Sequence, residues 1–382
     1  MEYNPLGSMV NRKIGYGIVQ PGQSVPDGVP VIKVNNLISG LKSPSELDTT
    51  ARENEAKYSR TRLHGGELIV SVVGTIGKTA IVPKSFAGCN LVRATALIDI
   101  EDELMSKWVK YYFDSPCGQS YIEQNLNTTV QPTLNIKSLV EMPIPIRDTT
   151  EMEKTVLLLS ALDEKIEVNR QINDNLHQQA ATLFKALFVD LTPFDGTMPP
   201  NWTISTLGDA TEMGAGGDKP KESSPVKTPL CPYPIYSNGI NDYGLYGYTN
   251  DPKIKVESVT VSARGTIGYV CLRHTPYVPI VRLVTLIPDT KVLSAKYLYL
   301  YLRQLHITGT GTTQQQLTVP DFRKTEIIIP DKNTMDSFTE TVTPLFEQIW
   351  ANEDENTKLA EVRDALLPKL MSGEIDVSDI QL

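Results

Sequence analysis

The chain has 382 residues, of which 40% are hydrophobic, and this is enough for two or three domains with cores of their own. It contains no run of 18 apolar residues and no basic-then-apolar segment at its start, so we expect a cytoplasmic protein without membrane spans. The four cysteines and four histidines are scattered, which argues against a zinc site or a disulfide framework.

The net charge of −9 argues at first against a nucleic-acid partner, but the charge is unevenly distributed. Residues 1–150 have a net charge of 0 and residues 191–331 of +1, whereas residues 151–190 carry −3 and residues 332–382 carry −7. Two nearly neutral blocks therefore alternate with two acidic segments. Composition permits a DNA partner without indicating one.

The first block, residues 1–150, alternates short extended segments with helical ones. Gly74-Thr-Ile-Gly77 is typical of a tight turn between paired strands, because glycines stand at both ends of the link. The other predicted elements are strands at 28–34, 66–73, 78–82, 91–100 and 139–146, helices at 46–58 and 103–124, and a polar loop at 125–132.

A long helix is predicted at 151–188, where apolar residues recur at steps of three and four and neither Pro nor Gly occurs. At 1.5 Å per residue such a helix is about 55 Å long. A globular domain rarely needs a helix of that length, so we interpret it as a spacer or a coiled-coil partner.

The chain then repeats itself. Gly265-Thr-Ile-Gly268 follows a strand as the first turn motif does, an aromatic helix at 293–305 and a closing strand at 326–330 come next, and a second long helix occupies 336–370. Shifted by 183 positions, the asparagines of the first helix fall on those of the second, and two unrelated amphipathic helices would not explain this match. An asparagine at a seam position fixes register at a cost in stability. The residues predicted to pair the helices are Leu162, Ile166, Asn169, Asn173, Leu176, Leu183, Leu345, Ile349, Asn352, Asn356, Leu359 and Leu366.

The duplication predicts an α/β (α+β) protein with two similar globular domains separated by two long antiparallel helices, related by an internal pseudo-two-fold axis. The expected boundaries are 1–150 for the first globular domain, 151–190 for the central helix, 191–331 for the second globular domain, and 332–382 for the distal helix and tail. Residues 190–201 contain four Pro or Gly residues and are predicted to be the hinge between the copies. We expect the acidic outer faces of the helices and the tail segment 366–375 to be left for partner proteins.

Candidate catalytic motifs are incomplete. Gly74-Thr-Ile-Gly-Lys-Thr79 imitates a phosphate-binding loop, but the pattern needs a glycine where this chain has Val72, and the second copy replaces the lysine with Tyr269. A paired-carboxylate nuclease site could be forced onto residues 26–27 and 55–57, yet neither pair recurs in the second block. The motifs of a DNA methyltransferase are missing as well. We therefore expect no catalytic residues and no metal site in this chain.

The remaining polar positions suit DNA recognition, since glutamine can bond adenine, threonine can contact a thymine methyl group or a phosphate, and arginine and lysine neutralise phosphates. For any one residue the plain alternative is an ordinary solvated loop, but the set is duplicated on two blocks. The predicted DNA-binding residues are Arg60, Arg62, Ser71, Lys78, Arg93, Thr128, Thr129, Gln131, Asn238, Tyr243, Arg264, Thr312, Thr313, Gln314 and Gln315.

In these features the chain resembles the specificity subunit of type I restriction–modification systems. The resemblance covers nearly the whole length and depends on the duplicated architecture, on residues 157–188, and on the ending Leu366-Leu-Pro-Lys-Leu-Met-Ser-Gly-Glu-Ile375. The Gly-Thr-Ile-Gly hairpins and the Pro143-Ile-Pro145 exit from the first block also agree. The helix and tail motifs are specific, whereas the hairpin alone would be a weak signal.

The resemblance implies two target-recognition domains, each of which reads one half of a split site in double-stranded DNA. It implies that the helices dock two methyltransferase subunits, which bind S-adenosylmethionine and methylate adenine, and that motor–endonuclease subunits using ATP and magnesium complete the restriction complex. No cofactor is expected in this chain. Base-reading residues vary within the family, so none is carried over by motif. Two alternatives stay open, a DNA-modifying enzyme in its own right and a coiled-coil adaptor that binds only proteins.

Overall fold

The computed structural model describes residues 2–41, 43–127, 132–309 and 316–377, and the chain separates into two compact units. Unit 1 takes Met1–Val168 and Glu355–Leu382, and unit 2 takes Asn169–Asp354. Each unit therefore combines one globular block with part of both long helices. The predicted division counted the helices as segments of their own, whereas in the structure their apolar faces complete the cores of the two blocks.

Unit 1 is built around a four-stranded antiparallel sheet. Its strands, in order across the sheet, are Arg12–Tyr16, Thr95–Asp99, Leu68–Ser71 and Thr79–Ile81. A smaller sheet contains Thr49–Thr50, Val29–Ile32 and Asn90–Leu91, and two further strand pairs join Glu2–Pro5 to Pro143–Ile146 and Leu126–Asn127 to Thr133–Leu134.

Unit 2 has the same arrangement. Its main antiparallel sheet has the order Thr211–Ala215, Val284–Pro288, Ser258–Val261 and Val270–Arg273. The second sheet has the order Ser223–Ser224, Leu245–Thr249, Tyr233–Tyr236 and Val278–Pro279, and the remaining pair joins Thr203–Thr206 to Glu326–Ile329. When the four strands of each main sheet are numbered in chain order, their order across the sheet is first, fourth, second, third in both units, so the predicted duplication is confirmed.

Helices connect and cover these strands. The α-helices are Val34–Ser39, Arg52–Glu55, Glu103–Asp114, Pro116–Gln124, Ile136–Val140, Thr149–Phe184, Leu207–Ala210, Ala295–Gln304, Val319–Phe322 and Lys332–Ser372. Short 3-10 segments lie at Leu6–Ser8, Pro44–Glu46, Ala56–Thr61, Lys84–Phe86, Thr192–Phe194 and Asn241–Gly244, and a π turn at Lys185–Val189. Among the residues that the structure describes, no helix is long and apolar enough to cross a membrane.

Two predicted helices are shorter than expected. The helix predicted at 103–124 breaks at Ser115, because Pro116 has no N–H to donate and the Ser115 hydroxyl instead accepts a hydrogen bond from the Gly118 N–H. The helix predicted at 46–58 is replaced by a short strand, one helical turn and a 3-10 segment.

Each unit anchors its covering helix to its closing strand in the same way. In unit 1 the Trp108 indole N–H donates to the carbonyl of Pro145 at 2.7 Å, and in unit 2 the Tyr297 hydroxyl donates to the carbonyl of Ile328 at 2.6 Å. Both aromatic side chains are fully buried, so each unsatisfied donor would cost free energy. The two repeats therefore preserve an interaction although the residue type differs.

The two long helices pack antiparallel in each unit. In unit 2 the pairing includes a buried amide pair, in which Asn352 Nδ2 donates to Asn173 Oδ1 at 2.7 Å and Asn173 Nδ2 donates to the carbonyl of Ile349 at 3.1 Å. A one-turn slip of either helix would leave both amides without these partners in a buried seam. This agrees with the predicted role of asparagine in fixing the register.

In unit 1 the helices are joined by an ion pair. Arg363 Nη1 lies 2.8 Å from Asp163 Oδ1, and Asp163 also accepts from Lys110 Nζ at 3.3 Å and from the Tyr111 hydroxyl at 2.9 Å. Burial alone raises the pKa of Asp163, but the charges of Lys110 and Arg363 together with these hydrogen bonds outweigh it, so the pKa is lowered.

Most of the predicted pairing residues face the interior. Ile166, Asn169, Asn173, Ile349 and Asn352 are buried, and Leu162, Leu176, Leu345, Asn356, Leu359 and Leu366 are partly buried. The prediction is wrong for Leu183, because 36% of its surface is exposed. The buried face is formed instead by Ala180, Phe184 and Phe188. These residues are spaced by four, and the π turn at Lys185–Val189 keeps Phe188 on the same face as Phe184.

The tail is not left free for partners as expected. Leu367, Leu370 and Met371 are at most 5% exposed and belong to the core of unit 1, which also contains Trp108. The sequence showed an apolar segment after an acidic helix but not which surface it would cover.

We predict that Asn173→Leu destabilises unit 2 by about 1–3 kcal/mol, because it leaves the buried Asn352 Nδ2 without its acceptor. Urea denaturation midpoints measure the loss. The double variant Asn173→Leu/Asn352→Leu should recover much of it, because two apolar side chains need no hydrogen bonds; equal loss in the single and double variants would contradict this account.

We further predict a pH-dependent role for Asp163. A carboxylate whose pKa is lowered by folding stabilises the folded state above its unfolded pKa, near 3.8, and that contribution is lost as the pH falls through the folded-state pKa. The stability difference between the wild type and Asp163→Asn should therefore shrink as the pH is lowered from about 6 to about 3. Denaturation midpoints along a pH series test this, and a difference independent of pH would refute it.

Candidate nucleic-acid interface

The Gly-Thr-Ile-Gly turns form matching hairpins in the two units. Gly74 and Gly77 both have φ of 79°, and Gly265 and Gly268 have φ of 68° and 83°, a region that favours glycine. The N–H of the second glycine donates a hydrogen bond to the carbonyl of Ser71 in unit 1 and of Ser262 in unit 2, with an N···O distance of 2.9 Å in both. The predicted tight turn is confirmed. We call the end of each main sheet that carries this hairpin the turn end.

Several segments converge at the turn end of unit 1. The Val72 N–H donates to the carbonyl of Ala94, the Leu134 N–H donates to the carbonyl of Val72, and Val73 bridges to Thr133. The hairpin, the turn that contains Arg93 and the strand that follows residues 128–131 are therefore neighbours. Lys78 and Arg93 are both exposed here. The predicted reading residues Thr128, Thr129 and Gln131 lie outside the described residues.

Unit 2 brings the corresponding segments together. The Leu317 N–H donates to the carbonyl of Ala263 at 3.0 Å, as Leu134 does to Val72 in unit 1. Arg264 is exposed, and its Nε donates to Gln316 Oε1 at 3.0 Å, which links the hairpin to the segment that precedes the helix Val319–Phe322. Thr312, Thr313, Gln314 and Gln315 fall outside the described residues.

Two predicted DNA-binding residues serve the protein itself. Ser71 is fully buried, and its hydroxyl accepts from the Lys78 N–H at 2.8 Å, so it closes the hairpin and cannot reach DNA. Asn238 donates to the carbonyl of Val281 at 2.6 Å and accepts from the Ala263 N–H at 2.7 Å. Its amide thereby holds the loops of the turn end in place instead of facing a base.

Arg60 and Arg62, two of the predicted DNA-binding residues, are not near the hairpin. Their backbone carbonyls accept hydrogen bonds from Arg12, which is paired with Asp99 at the opposite end of the sheet. The Arg62 guanidinium makes an ion pair with the buried Glu55, and this hydrogen-bonded partner lowers the pKa of Glu55 despite its burial. Arg62 therefore has a structural partner, whereas Arg60 is exposed but away from the turn end.

Tyr243 is exposed to solvent but also bonded to the rest of unit 2. It is 55% exposed and has φ of 55°, yet its hydroxyl lies 3.1 Å from the Glu353 carboxylate on the second long helix. Although the residue as a whole is half exposed, desolvation of its hydroxyl beside the helix and the neighbouring carboxylate raise the pKa of Tyr243, and burial raises that of Glu353. The backbone carbonyl of Tyr243 accepts from Arg273, which in turn stacks over the Tyr236 ring at 3.6 Å. Tyr243 thus ties this loop to the helix.

Sequence reasoning missed one exposed arginine at the turn end of unit 2. Arg282 stands in Ile280-Val-Arg282, which matches Leu91-Val-Arg93 in the first block. Comparing the two blocks position by position around their last main-sheet strands would have found it.

The two units thus share a fold, a hairpin and an exposed basic turn end, which is the arrangement of a protein with two related recognition domains. A family model described as "Type I restriction modification DNA specificity domain" matches the chain twice, over residues 17–178 and 199–361. The chain belongs to this family.

Curated relatives bear similar names. The type I restriction enzyme MjaIX specificity subunit of Methanocaldococcus jannaschii is 26% identical over 313 residues, covering 73% of this chain and 71% of that protein. The HindI specificity subunit of Haemophilus influenzae is 25% identical over 328 residues, covering 64% and 71%. A crystal structure of the S subunit of a type I restriction-modification system from M. genitalium matches with a TM-score of 0.55 at 17% identity, covering 96% of this chain and 95% of that one. This last match supports the fold.

We predict that Asn238→Ala lowers the stability of unit 2 by about 1–3 kcal/mol, because it removes the acceptor of the Ala263 N–H and the donor to Val281. Lys78→Ala, at an exposed position, should change stability by no more than about 0.5 kcal/mol. Chemical denaturation compares the two variants. A loss of equal size in both would show that Asn238 has no special structural role.

Proposed function

We propose that the chain is the non-catalytic, sequence-specific DNA-binding subunit of a type I restriction–modification complex, with one half of a bipartite site read by each globular block. The observation that carries the proposal is the double match to a DNA specificity domain, one match on each structural repeat. Two copies of one reading module on a single chain suit a site made of two separate halves.

The turn end of each unit is the proposed reading surface. It carries exposed cations in both units, and the Thr- and Gln-rich segments at 128–131 and 310–315 are attached to it through their described neighbours. The two surfaces differ where sequence reading requires it, since Lys78 of the first hairpin corresponds to Tyr269 of the second. Different side chains on a common scaffold would allow different half-sites to be read.

The long helices are the proposed spacer and docking surface. Thr149–Phe184 contains 36 residues, about 54 Å of helix, and fixes its length by its own hydrogen bonds. Exposed apolar side chains remain on the two helices at Leu157, Val168, Ile172, Leu183 and Val362. We assign these positions to the binding of two methyltransferase subunits, which would bind S-adenosylmethionine and methylate adenine. The motor–endonuclease subunits of the complex would use ATP and magnesium.

Two other functions are less well supported. An enzyme in its own right would need a catalytic group, and among the described residues no cluster of three His, Cys, Asp or Glu side chains is arranged to hold a metal ion. An adaptor that binds only proteins gives no reason for two DNA specificity domains. Retention of DNA by the assembled methyltransferase complex, and methyl transfer by the chain alone, would separate the three.

A block exchange tests the proposal directly. The entry strand Thr203–Thr206 pairs with the exit strand Glu326–Ile329, and the N–H of Leu207 donates to the carbonyl of Thr325 at 2.9 Å, so residues 207–325 form a closed insert. Replacing them with the matching block of a family member of different specificity should change one half of the methylated site and leave the other half unaltered. Sequencing of methylated adenines in cells that express the chain with its methyltransferase partner measures the outcome.

The matched control exchanges residues 6–142, which are closed in the same way by the pair Glu2–Pro5 and Pro143–Ile146 and by a bond of 2.9 Å from the Leu6 N–H to the Met142 carbonyl. It should change the other half-site. If either exchange altered both halves, or if DNA were methylated without regard to the chain supplied, the bipartite reading would be rejected.

A further inference from the structure

Arg93 and Arg282 occupy corresponding turns in the two units. Each turn spans four residues directly before the last strand of the main sheet, with the Thr95 N–H donating to the carbonyl of Val92 at 2.9 Å and the Leu283 N–H to the carbonyl of Ile280 at 3.0 Å. Arg93 is the first central residue of its turn and Arg282 the second of its own. Both side chains are exposed at the turn end.

Both turns are held in place by the segment that directly follows the first strand of the main sheet, which contains Gly17 in unit 1 and Gly216 in unit 2. Ile18 bridges to Val92, and Gly217 bridges to Ile280, in parallel fashion. The glycine before each bridging residue allows this approach, because a Cβ on Gly17 would lie 2.2 Å from the Leu91 oxygen and one on Gly216 would lie 2.7 Å from the Ile280 nitrogen. In unit 1 the N–H of Arg93 donates to the carbonyl of Ile18 at 2.8 Å. The corresponding bond in unit 2 is made by the N–H of Val281, which donates to the carbonyl of Gly217 at 2.8 Å, and the N–H of Arg282 donates to that of Gly216 at 2.9 Å. The backbone of each arginine is therefore fixed before any ligand binds.

The turn in unit 2 carries strain. Val281 and Arg282 have φ of 53° and 65°, and for a β-branched valine a positive φ is a genuine outlier. Asn238 stabilises this conformation by donating to the Val281 carbonyl at 2.6 Å. Strained backbone of this kind persists where the surrounding structure holds it, commonly at binding sites. Neither arginine side chain has a hydrogen bond or ion pair with the part of the chain that the structure describes.

We propose that Arg93 and Arg282 are matched phosphate anchors, one in each recognition block, that position the block on the DNA backbone without reading sequence. This inference rests on the proposed function. Two blocks that read different half-sites must differ in their base-reading side chains, whereas the phosphates are the same at every sequence. An arginine stands in the corresponding turn of both blocks, one position apart, and a positive charge supplied from this turn fits the phosphate backbone that both half-sites share.

The test uses the complete complex with its methyltransferase partner and two fluorescent duplexes, one carrying the recognised site and one with that site scrambled. Arg282→Ala should weaken binding to both duplexes by the same factor, on the order of tenfold at about 0.1 M salt, and lower the salt slope by about one. Arg93→Ala should do the same, and the double variant should lower the slope by about two. Arg282→Lys should retain the slope, because a phosphate accepts a lysine charge whereas bidentate guanine recognition does not.

Lys291→Ala is the matched control, since Lys291 is exposed in the same unit but follows the opposite end of the strand Val284–Pro288. It should leave affinity and slope unchanged, and native mass should show that every variant still assembles. A loss confined to the recognised duplex, with an unchanged slope, would make Arg282 a base-reading residue and overturn the proposal, as would no loss at all. A wild-type complex that does not prefer the recognised duplex would instead reject the proposed function.

Discussion

The antiparallel pairing of two helices that lie about half a chain apart is the interaction on which both units depend. Neither globular block forms its core alone, because the buried faces of the long helices supply part of it. In unit 2, Phe184, Phe188 and Phe338 pack around Tyr297 of the block, and in unit 1 Leu159 and Leu370 lie in one core with Trp108. The chain must therefore bring its last helix back to its first before either unit is complete.

The repeats keep the positions of their interactions but not always the chemistry. Asp163 and Phe346 correspond by the 183-residue shift, and Lys110 and Tyr299 each follow the residue bonded to the closing strand by two positions. Unit 1 fills this place with an ion pair at 3.3 Å, and unit 2 with an edge-to-face aromatic pair at 5.8 Å. In each unit the two side chains suit each other, as opposite charges or as two aromatic rings. Lys110 would have no charged partner opposite Phe346, and Tyr299 would have no aromatic partner opposite Asp163. A block that is exchanged should therefore come from the same repeat of the donor chain, because Asp163 and Phe346 stay on the helices of the host.

The turn end combines recurring and differing residues on one scaffold. Its hairpin glycines, the glycine beside the arginine turn and the arginine itself recur in both units, whereas the residue after the hairpin changes from Lys78 to Tyr269. The recurring parts are those that backbone geometry demands or that a uniform phosphate backbone would contact. At the turn end, the side chain that differs is thus one that the backbone geometry does not require.

The sequence by itself determined the duplication, the two long helices, the hairpins and the family, because these depend on periodicity, on glycine conformations and on matched motifs that are local in the chain. It also indicated the asparagine seam, although only the structure showed that Asn173 bonds Asn352. Tertiary structure decided which polar residues are available for a ligand. Ser71 and Asn238 have side chains suited to DNA, but the hairpin and the loops use them, and Arg62 is taken by Glu55. Contacts between residues far apart in sequence decide that Phe184 is buried and Leu183 is not. They also decide at which end of a sheet an arginine lies. Periodicity in the sequence contains no information about such contacts.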